Sequence, residues 1–254
     1  EVDGYDEEFD RQDGYDIWLK IIFKYKVRNL NKPLFFYRQH GKNLTKDSLS
    51  LFRTRAAIKK KYIQNNPRKE LKTLSIIPFR GPELDPTSQP LMKLGEKELV
   101  HWTIDEALMA QNINKIIVSS PHEITLENVK AKYNDYVDID LRSNELARLN
   151  FSLRDSILDI INKEEDSGNS FDIVSIVYID YPFKKSWQID ESIDTLNLFN
   201  VDSVDGVIQD NRFYYRHLGK GMEPLIKGGG LKLERDQLYR RVGGIHSILI
   251  SSLK

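Results

Sequence analysis

The sequence contains no cysteine. That excludes disulfides, thiolate chemistry and cysteine-ligated zinc. It also lacks an excess of either charge: 38 Lys and Arg balance 38 Asp and Glu, so net charge points to neither nucleic acid nor an anionic membrane as partner. No apolar run is long enough to span a bilayer, and no signal-peptide pattern is present. The five histidines, at 40, 101, 122, 217 and 246, lack metal-ligand spacing, and no Ser/His/Asp constellation can be drawn. Internal repeats and low-complexity stretches are missing too. These absences suit a cytoplasmic protein without transmembrane segments. The chain opens Glu1-Val2-Asp3-Gly4 and reads as a piece of a longer protein.

What is present is a 254-residue chain, 40% apolar, in which strand-like and helix-like patterns alternate. Strands are expected at 74–77, 115–119, 137–140, 172–179, 202–207 and 244–250. Helices are expected near 100–110, 126–133, 152–162 and 189–199, with a hairpin over 213–226 around Gly219-Lys220-Gly221. Apolar runs alternating with helical patterns predict an α/β fold, a mostly parallel sheet covered on both faces in three layers. The triple Gly228-Gly229-Gly230 lacks the strand–loop–helix context of a phosphate cradle and reads as a turn.

Ahead of this unit lie two shorter ones. Residues 1–50 read as an acidic turn, an amphipathic helix with Ile17, Trp18, Ile21, Ile22 and Tyr25 at helical spacing, and a strand over 35–37. Asp13 and Asp16 suit the helix's first turn, and Trp18 its core. Residues 51–70 form a basic helical linker expected to pack Leu51, Ala57, Ile58 and Tyr62 and leave its lysines to solvent. The boundary falls near Arg68, giving a third unit over 71–254. At its head, Ile77-Pro78-Phe79-Arg80-Gly81 leads from strand to helix, where α/β proteins gather phosphate-binding groups. Arg80 could serve phosphate, or cap the strand end, or pair with Glu83 or Asp85. Asp180, at another strand's carboxyl end, could be a ligand or hold a turn.

Two resemblances sharpen these expectations. Gly4-Tyr5-Asp6-Glu7, Gln12-Asp13, Tyr15-Asp16-Ile17-Trp18-Leu19 and Tyr37-Arg38-Gln39-His40 resemble the carboxyl-terminal end of the catalytic domain of family-two glycosyltransferases of the GT-A fold. That resemblance implies Asp13 as counterpart of the acceptor-deprotonating base. The family's nucleotide-binding half would lie upstream, so the segment reads as a helical, non-catalytic remnant.

Residues 71–254 resemble the acylneuraminate cytidylyltransferases, through Ile77-Pro78-Phe79-Arg80-Gly81, Leu94-Gly95-Glu96-Lys97-Glu98-Leu99-Val100, Thr103-Ile104-Asp105-Glu106-Ala107, Leu141-Arg142-Ser143-Asn144-Glu145-Leu146-Ala147 and Asp172-Ile173-Val174. The resemblance implies a Rossmann-like nucleotide-diphospho-sugar transferase fold. It implies nucleotide contacts from Arg80, Gly81, Ser119 and Arg142, sugar contacts from Tyr178 and Asp180, Mg²⁺ if the chain is active, and a homodimer paired through the hairpin.

The chain departs from that family where the chemistry lies. Its lysine positions fall on Leu84 and Gln89, while Glu83 and Asp85 add carboxylates. Pro82, Pro86 and Pro90 remove N–H donors. A carboxylate beside a phosphate in a partly desolvated site costs on the order of a few kcal/mol. The sequence therefore predicts a cytidylyltransferase-like domain, fused behind a glycosyltransferase in surface-glycan biosynthesis, degenerate for CTP and serving as a sugar- or nucleotide-binding or scaffolding module. The alternative is an active enzyme making a CMP-activated nonulosonic acid with altered phosphate recognition.

Overall fold

A computed structural model of the chain describes residues 4–28, 30, 32, 34, 47–66, 70–210, 212–225 and 238–254. The strand expected at 35–37, the motif reaching His40 and the glycine triple at 228–230 lie outside them.

In order, the elements are α1 (Asp13–Ile22), α2 (Ser48–Asn65), β1 (Thr73–Pro78), β2 (Lys93–Leu94), β3 (Lys97–Glu98), α3 (Leu99–Met109), β4 (Lys115–Ser120), α4 (Glu123–Tyr133), β5 (Asp138–Leu141), α5 (Asn144–Ala147), α6 (Leu153–Asp166), β6 (Ile173–Val177), α7 (Ser186–Phe199), β7 (Ser203–Asp210), β8 (Tyr215–His217), β9 (Met222–Pro224), β10 (Leu238–Leu249) and α8 (Ile250–Leu253). Six strands form one sheet in the order β5-β4-β1-β6-β10-β7. Strands β5, β4, β1 and β6 run parallel, and β10 is antiparallel to both of its neighbours.

The sheet is covered on both faces because its central strands carry apolar side chains in both alternating phases. All of β1 and β6 is buried. Ile77, Val118 and Val177 join α3, α4 and α7 in one core through Val100, Ile104, Leu126, Ile189 and Leu196. The alternate residues Ile76, Ile117 and Ile176 meet α6 and α8 through Ile157, Ile160, Ile161, Ile250 and Leu253 on the other face. Burial of this kind contributes about 25 cal/mol per Å² of apolar surface. This is the three-layer α/β architecture the sequence predicts.

Several boundaries differ from the expected ones, three of them with a visible cause. Helix α6 runs on to Asp166 because Lys163 pairs with Asp159 and Asp140, and Glu164 with Lys115, so the polar turn has partners. Helix α7 starts at Ser186, whose N–H donates to the Glu106 carboxylate of α3 (2.8 Å). Strand β10 begins at Leu238, six residues early: Tyr239, Arg240 and Arg241 pair with β7 before the register breaks between Arg241 and His246. Four residues, 242–245, there face the single Gly206, a wide irregularity that bends the strand.

The amino-terminal helices are packed on this unit. Leu19 of α1, Ile58 of α2 and Leu198 of α7 are buried together, flanked by Phe9, Tyr15, Ile22, Tyr62, Ile63 and Phe199. Two expectations are corrected. Ala57 is exposed, whereas Lys59 is buried at 8% exposure, because its ammonium donates to Glu191 (2.9 Å) and Thr195 (2.8 Å) of α7. Trp18 lies outside the core at 41% exposure, stacked on Tyr15 at the surface.

Candidate functional site

Two crevices open beside the carboxyl ends of the parallel strands, where ligands gather in open α/β sheets. The first follows β1. Phe79 extends the strand by donating to Ser119 O (3.1 Å), and the chain turns at Gly81. A Cβ at Gly81 would stand 2.6 Å from the His122 Cβ and from a Glu83 carboxylate oxygen, so only glycine fits. Beyond it the loop satisfies itself. The N–H groups of Leu84 and Asp85 donate to Gly81 O, and that of Ser88 to Asp85 O. The Asp85 carboxylate accepts from the Thr87 amide and hydroxyl, which holds its pKa below the usual carboxylate value. The Ser88 hydroxyl donates to Arg80 O (2.6 Å). With prolines at 82, 86 and 90, most of the loop's possible amide donors are either absent or turned inward.

The side chains around the loop are also engaged. Arg80 donates through Nε to Ala147 O (2.7 Å) and through Nη2 to Arg148 O (3.4 Å), capping the carboxyl end of α5. No hydrogen bond or ion pair to Glu83 or Asp85 joins it. Glu83 instead faces His122 (3.2 Å), whose other ring nitrogen lies 2.6 Å from the Thr125 hydroxyl. Ser119 is fully buried and donates to Asp140 (2.8 Å), which also receives Lys163 (2.8 Å). Arg142, 4% exposed, donates Nη2 to Phe79 O (2.6 Å). Its buried Nε has no partner among the described residues. Burial, and then the neighbouring Arg80, lower the Arg142 pKa to about 10.

The second crevice is a cavity of about 820 Å³ beside α7. The chain leaving β6 forms its floor: the Tyr178 amide donates to Gly244 O (3.2 Å), and Tyr181 lies against the β10 bulge. Gly243 has φ +74°, and a Cβ there would come within 3.3 Å of the Tyr181 ring. Asp180 is exposed on the cavity lining, with no hydrogen bond or ion pair among the described residues. The 180–187 segment is anchored from below. Lys184 donates to the Thr103 hydroxyl of α3 (2.8 Å), and Lys185 to Glu106 (2.8 Å). Burial drives the Lys184 ammonium down to about 8. Trp187, Gln188 and Glu191 line the α7 side, Val204 to Val207 the β7 side, and Phe52 and Lys59 reach in from α2. The Trp187 indole N–H is buried without a partner.

Of the residues singled out from sequence, Arg80, Gly81 and Arg142 converge on the first crevice, with Ser119 beneath it. Asp180 lines the second. Tyr178 is not on its lining: the side chain packs against the α6 and α8 core on the other face of the sheet, its phenol pKa raised chiefly by burial. Asp13 is exposed in the first turn of α1 and lines neither crevice. Sequence reasoning passed over the Glu83–His122 pair, Glu106, Phe52, Lys59 and Trp187. Besides Asp180, the adjacent glycines 243 and 244, which leave room for Tyr181, were a local signal of the second crevice.

Among the described residues no group of three His, Asp or Glu is placed to hold a metal. The nearest carboxylates, Glu83, Asp85 and Asp140, are committed to His122, Thr87, and Ser119 with Lys163. No described helix is long and apolar enough to cross a membrane.

No model of a known protein family matches the sequence, and no curated protein matches it. Solved structures do. The chain is similar to the 4-diphosphocytidyl-2C-methyl-D-erythritol synthase of Anaerococcus prevotii, at 13% identity and TM-score 0.51 over 71% of this chain and 70% of that one. A CMP:2-keto-3-deoxy-manno-octonic acid synthetase complexed with CTP aligns at 14% identity and TM-score 0.52, over 72% and 76%. A further 4-diphosphocytidyl-2C-methyl-D-erythritol synthase gives 10% and 0.53 over the same shares. At such identities the likeness defines the fold: the chain has the nucleotide-diphospho-sugar transferase fold of cytidylyltransferases.

Proposed function

We propose that the chain is a cytidylyltransferase-like sugar- or nucleotide-binding module, fused behind a glycosyltransferase domain of surface-glycan biosynthesis, whose first crevice no longer performs CTP chemistry. One observation carries this reading. The loop after β1 spends its amides on itself, at Leu84, Asp85, Thr87 and Ser88, and points Glu83 at His122. Phosphate cradles depend on outward N–H groups and cations, and here Arg80 is drawn onto the carbonyls of α5. The glycosyltransferase context, the cytoplasmic location and the glycan role rest on the sequence resemblances. A homodimer through β8 and β9 is part of the same reading, supported by exposed Phe213, Tyr215, Leu218, Met222 and Leu225. A monomeric mass by light scattering would remove it.

The alternative, an active nucleotidyltransferase making a CMP-activated nonulosonic acid, has one observation in its favour. The unpartnered, buried Nε of Arg142 is a donor awaiting an acceptor beside Phe79. Calorimetric titration with CTP, CDP and CMP, with and without Mg²⁺, separates the two. The degenerate module shows no Mg²⁺-dependent gain on passing from CMP to CTP; tight Mg²⁺-dependent CTP binding establishes the alternative.

A further inference from the structure

The balance of 38 basic against 38 acidic residues holds for the whole chain and not along it. From Ile17 to Lys46 there are eight Lys or Arg and no Asp or Glu. Just after α1, Lys24, Lys26, Arg28 and Lys32 are exposed, and no ion pair joins any of them to another described residue. The carboxylates ahead of them are mostly engaged: Asp6 and Glu8 with Lys61, Asp10 with Arg11, Asp16 with Lys20. Lys24 shares a cavity of about 260 Å³ with Asp6 and Asp16, so Lys61 and Lys20 already answer the acids beside it. Glu7 and Asp13 are left, two carboxylates against four cations. Interleaved with those cations are Tyr25, Val27, Leu30 and Leu34, each more than half exposed. Phe23 fastens the start of the stretch, its ring 5.7 Å from that of Tyr62 and 6.1 Å from that of Phe199.

Single apolar side chains on a surface are ordinary, but a run of them threaded with unpaired cations marks a contact. Protein interfaces keep charge out of their apolar centre, whereas here the two kinds of side chain alternate. Single-stranded nucleic acid would answer to the cations and to Tyr25, yet Val27, Leu30 and Leu34 offer no face on which a base stacks. The headgroup zone of an anionic bilayer takes both kinds at once. Aliphatic side chains enter the acyl boundary, a tyrosine ring stops at headgroup level, and long basic stems carry their charges to the phosphates. We infer that the stretch after α1 is a peripheral membrane contact that seats the chain on an anionic lipid surface. Its four cations lie at the headgroups, and Tyr25, Val27, Leu30 and Leu34 at the acyl boundary. The inference stands apart from what either crevice binds.

The test is sedimentation of the full chain with vesicles of phosphatidylcholine, alone or with about one third phosphatidylglycerol. At about 0.1 M salt the anionic vesicles should bind the chain roughly tenfold more tightly than the neutral ones. At about 0.5 M salt, where screening shortens to a few ångström, that preference should fade. Lys26→Gln with Arg28→Gln removes two contributions of about fivefold each, so affinity should fall by roughly tenfold or more. Val27→Ser with Leu30→Ser keeps every charge and should still weaken binding about fivefold, which separates insertion from adsorption by charge alone. All four side chains are exposed, so both double variants fold, as matched thermal melts check. Equal binding to the two vesicles, binding to neither, or indifference to either double variant overturns the inference. So does preferential capture of single-stranded oligouridylate in competition with the anionic vesicles, which reassigns the patch to nucleic acid.

Discussion

After β1 the chain folds a glycine, three prolines and two carboxylates into a loop most of whose amide donors are absent or turned inward. After β6 it folds two aromatics, an exposed carboxylate and a pair of anchored lysines beside a cavity of about 820 Å³. Both segments leave the carboxyl end of a buried parallel strand and both are followed by a helix of the same core. The difference lies in where the hydrogen bonds go. In the first, polar groups satisfy one another across the space a ligand would fill. In the second they reach sideways to α3, as Lys184 does to Thr103 and Lys185 to Glu106, and leave the space open. A strand end is only an invitation to bind; the loop's own bonding decides whether it is accepted.

Breaking the first crevice should have the largest effect. Gly81→Ala places a methyl 2.6 Å from the His122 Cβ, and overpacking of this kind costs about 2–3 kcal/mol, read as a lower midpoint in urea melts. On the other crevice, Lys59→Met strands the Glu191 carboxylate beside Thr195. Glu191 keeps some solvent contact at 21% side-chain exposure, so the expected loss is about 2 kcal/mol, below the value for a fully buried pair. The double variant Lys59→Met with Glu191→Leu should recover most of it.

The third prediction sharpens the contrast on α7 itself. Away from the cavity, Asp194 accepts from Asn112 (2.8 Å), and burial raises its pKa from 3.8 to about 6. The folded chain then holds a proton the unfolded chain has released. Its stabilising effect is full below pH 3.8 and is lost as pH rises through about 6. Asp194→Asn should therefore raise stability at pH 7.5 by roughly 1–2 kcal/mol and change little at pH 3.5, as paired thermal melts would show. The smallest effect belongs to Glu83→Gln. With 63% of its side chain exposed, losing the pair with His122 should cost under about 0.5 kcal/mol. A larger loss would mean that the pair, and not the loop's amides, holds the first crevice shut.

Much of the fold was legible in the sequence. The strands β1, β4 and β6 announce themselves as apolar runs because both faces of the sheet are covered. The early start of β10 was hidden, since Arg240 and Arg241 look like loop residues until their pairing with β7 is known. At the first crevice the sequence displayed the reversal of charge but not its destination, which depends on which carboxylate meets His122 and which closes on Thr87. The α2 wall of the second crevice could not be read at all. In Lys59-Lys60-Lys61 each ammonium reaches a different partner: Glu191 for the first, Gln111 for the second, Asp6 and Glu8 for the third. A helix turns about 100° per residue, and three identical letters do not say which one faces inward.

The Lys59–Glu191 contact joins residues 132 positions apart. During synthesis, at about 5–20 residues per second, α2 leaves the ribosome on the order of ten seconds before its partner helix exists. Through that interval the cluster of Leu19 and Ile58 lacks its α7 side, Leu198 and Phe199. The amino-terminal helices are thus made well before the α7 surface that secures them, which makes the nascent chain, more than the finished protein, the species most exposed to misassociation.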